Sequence, residues 1–186
     1  MNITRLSLFI LFFGLSCPSI AQFKGVDWGS SRADVRAIYG ASDLEQGDFM
    51  AYEFTLGGKD VYGIFYFLED RLYKGAYLLN EEHSSSNQYL LDYNAFKNSL
   101  TSKYGQPSEE ESVWLDDLYQ DNVSDWGMAV SIGHLVQYSI WSLDATEIEC
   151  GIQGDNFDVT VKILYSSKEL EKWAEEIQKQ QTLDDF

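Results

Sequence analysis

Cysteine, proline and histidine are scarce in this chain, with two of each in 186 residues. The sequence holds no His-x-x-x-His pair, Cys-x-x-Cys, Gly-x-Ser-x-Gly or phosphate-cradling glycine loop. The familiar signatures of zinc proteases, thiol redox enzymes, serine hydrolases and nucleotide-binding proteins are therefore missing. Basic residues are few as well: 13 Lys and Arg stand against 30 Asp and Glu, for a net charge of −17. A surface of that sign repels phosphate backbones and anionic headgroups, so no nucleic-acid partner is expected. Long apolar runs are lacking too. The one candidate, Leu6 to Leu15, is too short for a transmembrane helix.

That run reads instead as part of a secretory signal over residues 1–21. Arg5 supplies the positive end, and Ser19-Ile20-Ala21 a small-x-small cleavage site before Gln22. Arg5 is the only charged residue before Lys24, so cleavage takes the charge from −17 to −18. The mature protein is expected outside the cytoplasm, periplasmic or extracellular. Cys17 would be the acylated residue of a lipoprotein, but Gly14 stands where such a signal has an aliphatic residue. With the leader removed, Cys150 is the only cysteine and no intrachain disulfide can form. The alternation of Thr146 to Ile152 places its thiol with Ile148 and Ile152 on a core face, where it is inert.

Aromatic residues, in contrast, are plentiful (5 Trp, 12 Tyr, 11 Phe), and a pattern recurs. A helix from Trp28 through Ser31, Val35 and Ile38 closes on Tyr39-Gly40. A second, from Tyr89 through Tyr93, Phe96 and Leu100, closes on Tyr104-Gly105, and Pro107 forbids its continuation. Aligning the two Tyr-Gly pairs sets Val35 on Leu100, Arg32 on Lys97 and Phe49 on Trp114. The expected fold is α+β: two tandem repeats, each a helix followed by an antiparallel meander, with helices on one face of the sheet and an extra C-terminal helix. The first repeat covers residues 22–80, a polar linker 81–88, the second repeat 89–165, and the terminal helix and tail 166–186.

Within the first repeat, Ser31 and Asp34 form a capping box. Strands are expected over Phe49–Leu56, Val61–Leu68 and Leu72–Leu79. In the second they are expected around Val113-Trp114 and over Met128–Ile132, His134–Trp141, Thr146–Ile152 and Phe157–Tyr165. Ser166 and Glu169 cap the last helix, whose Leu170, Trp173, Ala174 and Ile177 make an apolar stripe. The stripe either docks on the protein's own sheet or binds a partner.

No catalytic residue, metal ligand or cofactor is assigned. His134 and Cys150 could meet across strands only if the thiol left the core. Asp117, Asp121 and Asp125, in the acidic loop Asp116 to Asp125, offer oxygen ligands for Ca²⁺, but their spacing is not that of an EF-hand, and solvated charge explains them. A small carboxylate-dependent hydrolase is the alternative from another class, and it needs a carboxylate desolvated by apolar neighbours; a purely structural periplasmic protein is the other, and it needs no exposed aromatic patch. Glu53, between Tyr52 and Phe54, alternates away from them.

The hairpin about Glu69-Asp70 carries the most informative pattern. With a two-residue turn, counting outward pairs Tyr66 with Tyr73, Tyr62 with Tyr77, and Gly63 with Ala76. The four tyrosines then share one face, while Gly63 and Ala76 let a helix approach the other. The tyrosine face is either a second core layer or a partner-binding surface, since tyrosine is enriched in interfaces. Tyr62, Tyr66, Tyr73 and Tyr77 are the residues assigned to a protein partner.

The segments Trp-Gly-Ser-Ser-Arg-Ala-Asp-Val-Arg-Ala-Ile-Tyr-Gly (28–40), Tyr-Gly-Ile-Phe-Tyr-Phe-Leu-Glu-Asp-Arg-Leu-Tyr (62–73) and Lys-Tyr-Gly-Gln-Pro (103–107) resemble the exported modules of the β-lactamase-inhibitor-protein and BamE-like superfamily. The resemblance implies helices on one face of an antiparallel sheet, a protein partner on the other, and no catalysis. The acidic loop after Trp114 has no counterpart in it.

Overall fold

The computed structural model describes residues 22–184; the expected leader and Cys17 lie outside that range. The fold is α+β, with four α-helices and an open sheet of eight strands. A small hairpin, β1 (Gln22–Phe23) and β2 (Val26–Asp27), leads into α1 (Arg32–Tyr39). Then come β3 (Leu44–Gln46), β4 (Phe49–Leu56), β5 (Lys59–Leu68), β6 (Arg71–Leu79) and α2 (Ser86–Tyr104). The second half is β7 (Glu109–Trp114), a 3₁₀ turn at Val123–Asp125, α3 (Trp126–Ser131), β8 (Leu135–Ser142), β9 (Thr146–Asp155), β10 (Asp158–Ser167) and α4 (Lys168–Asp184). The strand order is 3-4-5-6-10-9-8-7, each neighbouring pair antiparallel.

Local chemistry explains the helix ends. Ser31 Oγ accepts from the Asp34 amide, and Asp34 accepts from the Ser31 amide and hydroxyl. These bonds favour the charged carboxylate and hold Asp34 below the usual carboxylate range. Gly40 and Gly105 both have φ near +80° with extended ψ, and each donates its N–H to the last turn, at Arg36 and Thr101. Both helices stop where a side chain would be strained. The cap of α4 is Ser167, whose Oγ accepts from the Leu170 amide, one residue later than the Ser166 expected.

Alternation along the strands sorts the sheet into two faces. The first carries Val61, Phe65, Tyr77, Val161, Ile163, Tyr165, Ile148, Cys150, Ile152 and Trp141, all buried in one core with Val35, Tyr93, Phe96 and Leu100 from α1 and α2. Phe23 inserts into the same layer, its ring 5.0 Å from Phe65 and Tyr77 and 5.4 Å from Tyr165. Room for it comes from Gly75, where a Cβ would lie 2.2 Å from the Phe23 ring. Gly63 serves Phe54 in the same way, so these glycines admit aromatic rings rather than a helix.

Three sequence expectations are overturned. The Met128–Ile132 segment is helical: Trp126, Ala129 and Val130 turn a helical stripe inward, and the run was too short for its period to be told from alternation. Phe49 and Trp114 are not equivalent. Phe49 opens β4, whereas Trp114 closes β7, because the acidic loop and α3 lie between β7 and β8. Finally, helix α2 begins at Ser86, inside the expected linker.

Candidate functional site

The β5–β6 hairpin does turn on Glu69-Asp70, both with positive φ, as a two-residue loop requires. Leu68 faces Arg71 and Phe67 faces Leu72, as counting outward gives. Then the register slips: Tyr66 lies opposite Lys74, Gly63 opposite Tyr77 and Tyr62 opposite Leu78. Tyr73 is the extra residue of a β-bulge, and from it onward β6 presents the opposite parity. The four tyrosines therefore do not share a face. Tyr77 turns into the main core, where burial raises its phenol pKa. Tyr73 sits on the second face, buried with Leu170 and Ala174 of α4 and flanked by Tyr66, Leu68 and Trp173. Tyr62 and Tyr66 are half-buried on that second face. The sequence signal for the bulge is Gly75, a glycine inside a strand two residues beyond it.

Helix α4 lies across one end of the second face. Lys74 Nζ is 2.6 Å from Glu171 Oε1, the Arg71 guanidinium stacks 4.8 Å over Trp173, and Lys168 Nζ donates to Ser142 Oγ. Beyond it the second face stays open. Ile64, Leu78 and Leu164 are half-buried in mid-sheet. Next to them a shallow groove of about 340 Å³ is lined by Val136, Tyr138, Ile140, Glu149, Gln153 and Lys162. Tyr138 donates to Glu109 Oε1, and Lys162 pairs with Glu149 at 3.3 Å. The open band is thus apolar along its middle and charged at its borders.

A second surface is apolar and acidic. Leu115, Leu118 and Val123 of the acidic loop are about 70% exposed. Val123 joins Leu90, Leu91 and Trp126 around a groove of about 530 Å³. Of the three acids weighed as Ca²⁺ ligands, Asp125 is engaged with Asn122 Nδ2. Among the described residues, these acids do not converge as a metal-holding group.

The polar group that does converge was not singled out in the sequence. At the N-terminal end of α2, Asp92 is 4% exposed. Lys59 Nζ is 2.6 Å from its Oδ1, and His83 Nε2 is 2.5 Å from its Oδ2. That hydrogen bond and the carboxylate's charge raise the pKa of Lys59. Glu81 Oε2 lies 3.9 Å from His83 Nε2, while Glu81 Oε1 accepts from the Asp60 amide. The His83 amide donates to Tyr89 Oη, and the two rings meet edge-on at 4.6 Å. No motif spacing announces this group, because its members come from a strand start, a linker and a helix.

Cys150 faces the core, and burial pushes its thiol up to about 12. It lies opposite Ser139, away from His134, whose Nδ1 is 3.5 Å from Asp116. A Cys–His pair is not formed. Glu53 is exposed on β4 and its amide donates to Asp43. Among the described residues, no helix is long and apolar enough to cross a membrane.

No protein-family model matches the chain, and no curated protein does. Among solved structures, a DUF4309 family protein (YjgB) from Bacillus subtilis subsp. subtilis str. 168 is similar, at 13% identity and a TM-score of 0.44, over 78% of this chain and 84% of that one.

Proposed function

We propose that this chain is an exported, non-enzymatic protein-binding module of the cell envelope, and that its partner docks on the part of the second sheet face that α4 leaves open. The observation that carries the reading is the half-buried band of Tyr62, Ile64, Leu78, Leu164, Val136 and Tyr138, bordered by charged side chains. Apolar centres with charged rims are the anatomy of protein interfaces. Antiparallel sheets that bury both faces need a second layer, and here α4 supplies only part of one. Tyr73 and Tyr77 are removed from the surface by the bulge, so Tyr62 and Tyr138 are its aromatic anchors, with Tyr66 at the α4 border.

The kinship with β-lactamase-inhibitor-protein and BamE-like modules, and with it the two-repeat organisation, belongs to the same proposal. It is supported by the order of elements: α1 precedes the meander β3 to β6, α2 precedes the meander β7 to β10, and the two meanders join through β6 and β10. The matched glycine ends of α1 and α2 support it further.

The test is comparative capture. Immobilised mature protein, a Tyr62→Ser/Tyr138→Ser variant and a Leu118→Ser/Val123→Ser control are exposed to envelope extract. A protein retained by the wild type and the control but lost from the sheet-face variant supports the proposal. Equal retention by all three contradicts it.

A further inference from the structure

We propose that Glu81, His83 and Asp92 form a binding site for a divalent transition ion of the zinc class. One ligand atom from each residue lies within 4.8 Å of the others, and the oxygens facing His83 Nε2 are Glu81 Oε2 and Asp92 Oδ2. Two carboxylates and one imidazole are a donor set suited to such ions, whereas Ca²⁺ asks for six or more oxygens.

Convergence of charged groups is common on an acidic protein. Here, though, the three groups are held from behind. Asp92 is buried, and its Oδ1 is taken by Lys59 Nζ, which leaves Oδ2 as the oxygen turned to His83. Glu81 Oε1 is taken by the Asp60 amide, and Oε2 is turned towards His83, with Lys59 Nζ also 3.9 Å from it. His83 is fixed at its amide by Tyr89 Oη and at its ring by the Tyr89 ring. Outer partners of this kind orient metal ligands and set their affinity.

The distances fit with small movements. Tetrahedral zinc with bonds of 2.0–2.2 Å places its ligand atoms about 3.3 Å apart. The present separations, 2.5 Å from His83 to Asp92 and 3.9 Å from His83 to Glu81, fall on either side of that value. One proton must lie in the short His83–Asp92 contact, and the ion takes its place at Nε2; a neutral imidazole then carries its proton on Nδ1. Lys59 stays on Asp92 Oδ1 and offsets part of the carboxylate charge, while its longer contact to Glu81 Oε2 gives way to the ion. With three protein ligands, further coordination positions are left to water or to a partner's side chain. The ion would tie the 81–88 segment and α2 to the end of the β5–β6 hairpin. This site stands apart from the open sheet face, and either proposal can fail without the other.

The experiment uses the mature chain freed of metal and titrated with ZnCl₂ and CoCl₂, with CaCl₂ as the probe of nonspecific acidic binding. Expected are one Zn²⁺ per chain and visible Co²⁺ bands of a low-coordinate site. Affinity should fall at least about tenfold in Glu81→Gln and in His83→Gln. Circular dichroism checks that each variant is folded. Should His83→Gln not fold, the more accessible Glu81→Gln decides the matter. Zinc binding of equal strength in the variants, or Co²⁺ spectra of the hydrated ion, would overturn the proposal.

Discussion

Tyr93 shows how one residue joins burial to pH. Its ring lies in the core with Oη 3.3 Å from Ser139 Oγ, and burial pushes its phenol pKa up to about 12 from an ordinary 10. The unfolded chain therefore loses this proton at a lower pH than the folded one. The stabilisation is fully present below pH 10 and is lost as pH rises towards 12. Burial raises Tyr77 and Tyr165 as well, which deepens the loss. Resistance to denaturant should thus fall as pH rises above 10 towards 12, with the tyrosinate absorbance of these buried rings appearing together with loss of ellipticity. A separate ionisation of these rings ahead of unfolding would contradict it. Phe23 offers a second test at this scale. Phe23→Ala should cost about 3–5 kcal/mol in chemical denaturation, although the residue stands next to the expected mature N-terminus. Gly75→Ala drives a Cβ into that ring and should cost about 1–3 kcal/mol, largely relieved in the Phe23→Ala background.

Caps, periodic stripes and two-residue turns are local, and they were readable: the Ser31 box, the Tyr-Gly ends, the Glu69-Asp70 turn and the α4 stripe all stand where the residues place them. The bulge at Tyr73 was signalled only by Gly75, which does not say which residue goes unpaired, and one unpaired residue reverses every later assignment of face. The docking side of α4 was equally hidden, since a stripe tells that a helix packs but not on which face. Leu170 and Ala174 bury Tyr73 there, so Leu170→Ala should cost about 2–3 kcal/mol and increase proteolysis of the C-terminal segment. By the same argument Tyr66→Ser/Tyr73→Ser would lower the thermal midpoint, which disqualifies it as a clean surface variant. The Glu81, His83 and Asp92 group lay out of reach for another reason: His83 and Asp92 are only nine residues apart, but their spacing matches no motif, and they meet only because the chain folds back from the linker onto the second turn of α2.

For the whole molecule, a strongly acidic surface and one sheet face left partly open point in the same direction. A net charge of −17 keeps copies apart and keeps a half-apolar band soluble. A partner of opposite charge would be drawn towards it, so association should slow as salt is raised across the Debye range. The central claim is that the open band, anchored by Tyr62 and Tyr138, is where a partner docks. The measurement that tests it most directly is side-by-side retention from envelope extract by wild type and the Tyr62→Ser/Tyr138→Ser variant, with the thermal midpoints of both recorded. A protein retained by the wild type and lost from the variant at nearly equal midpoints is the expected result. Unchanged retention by a folded variant would contradict it.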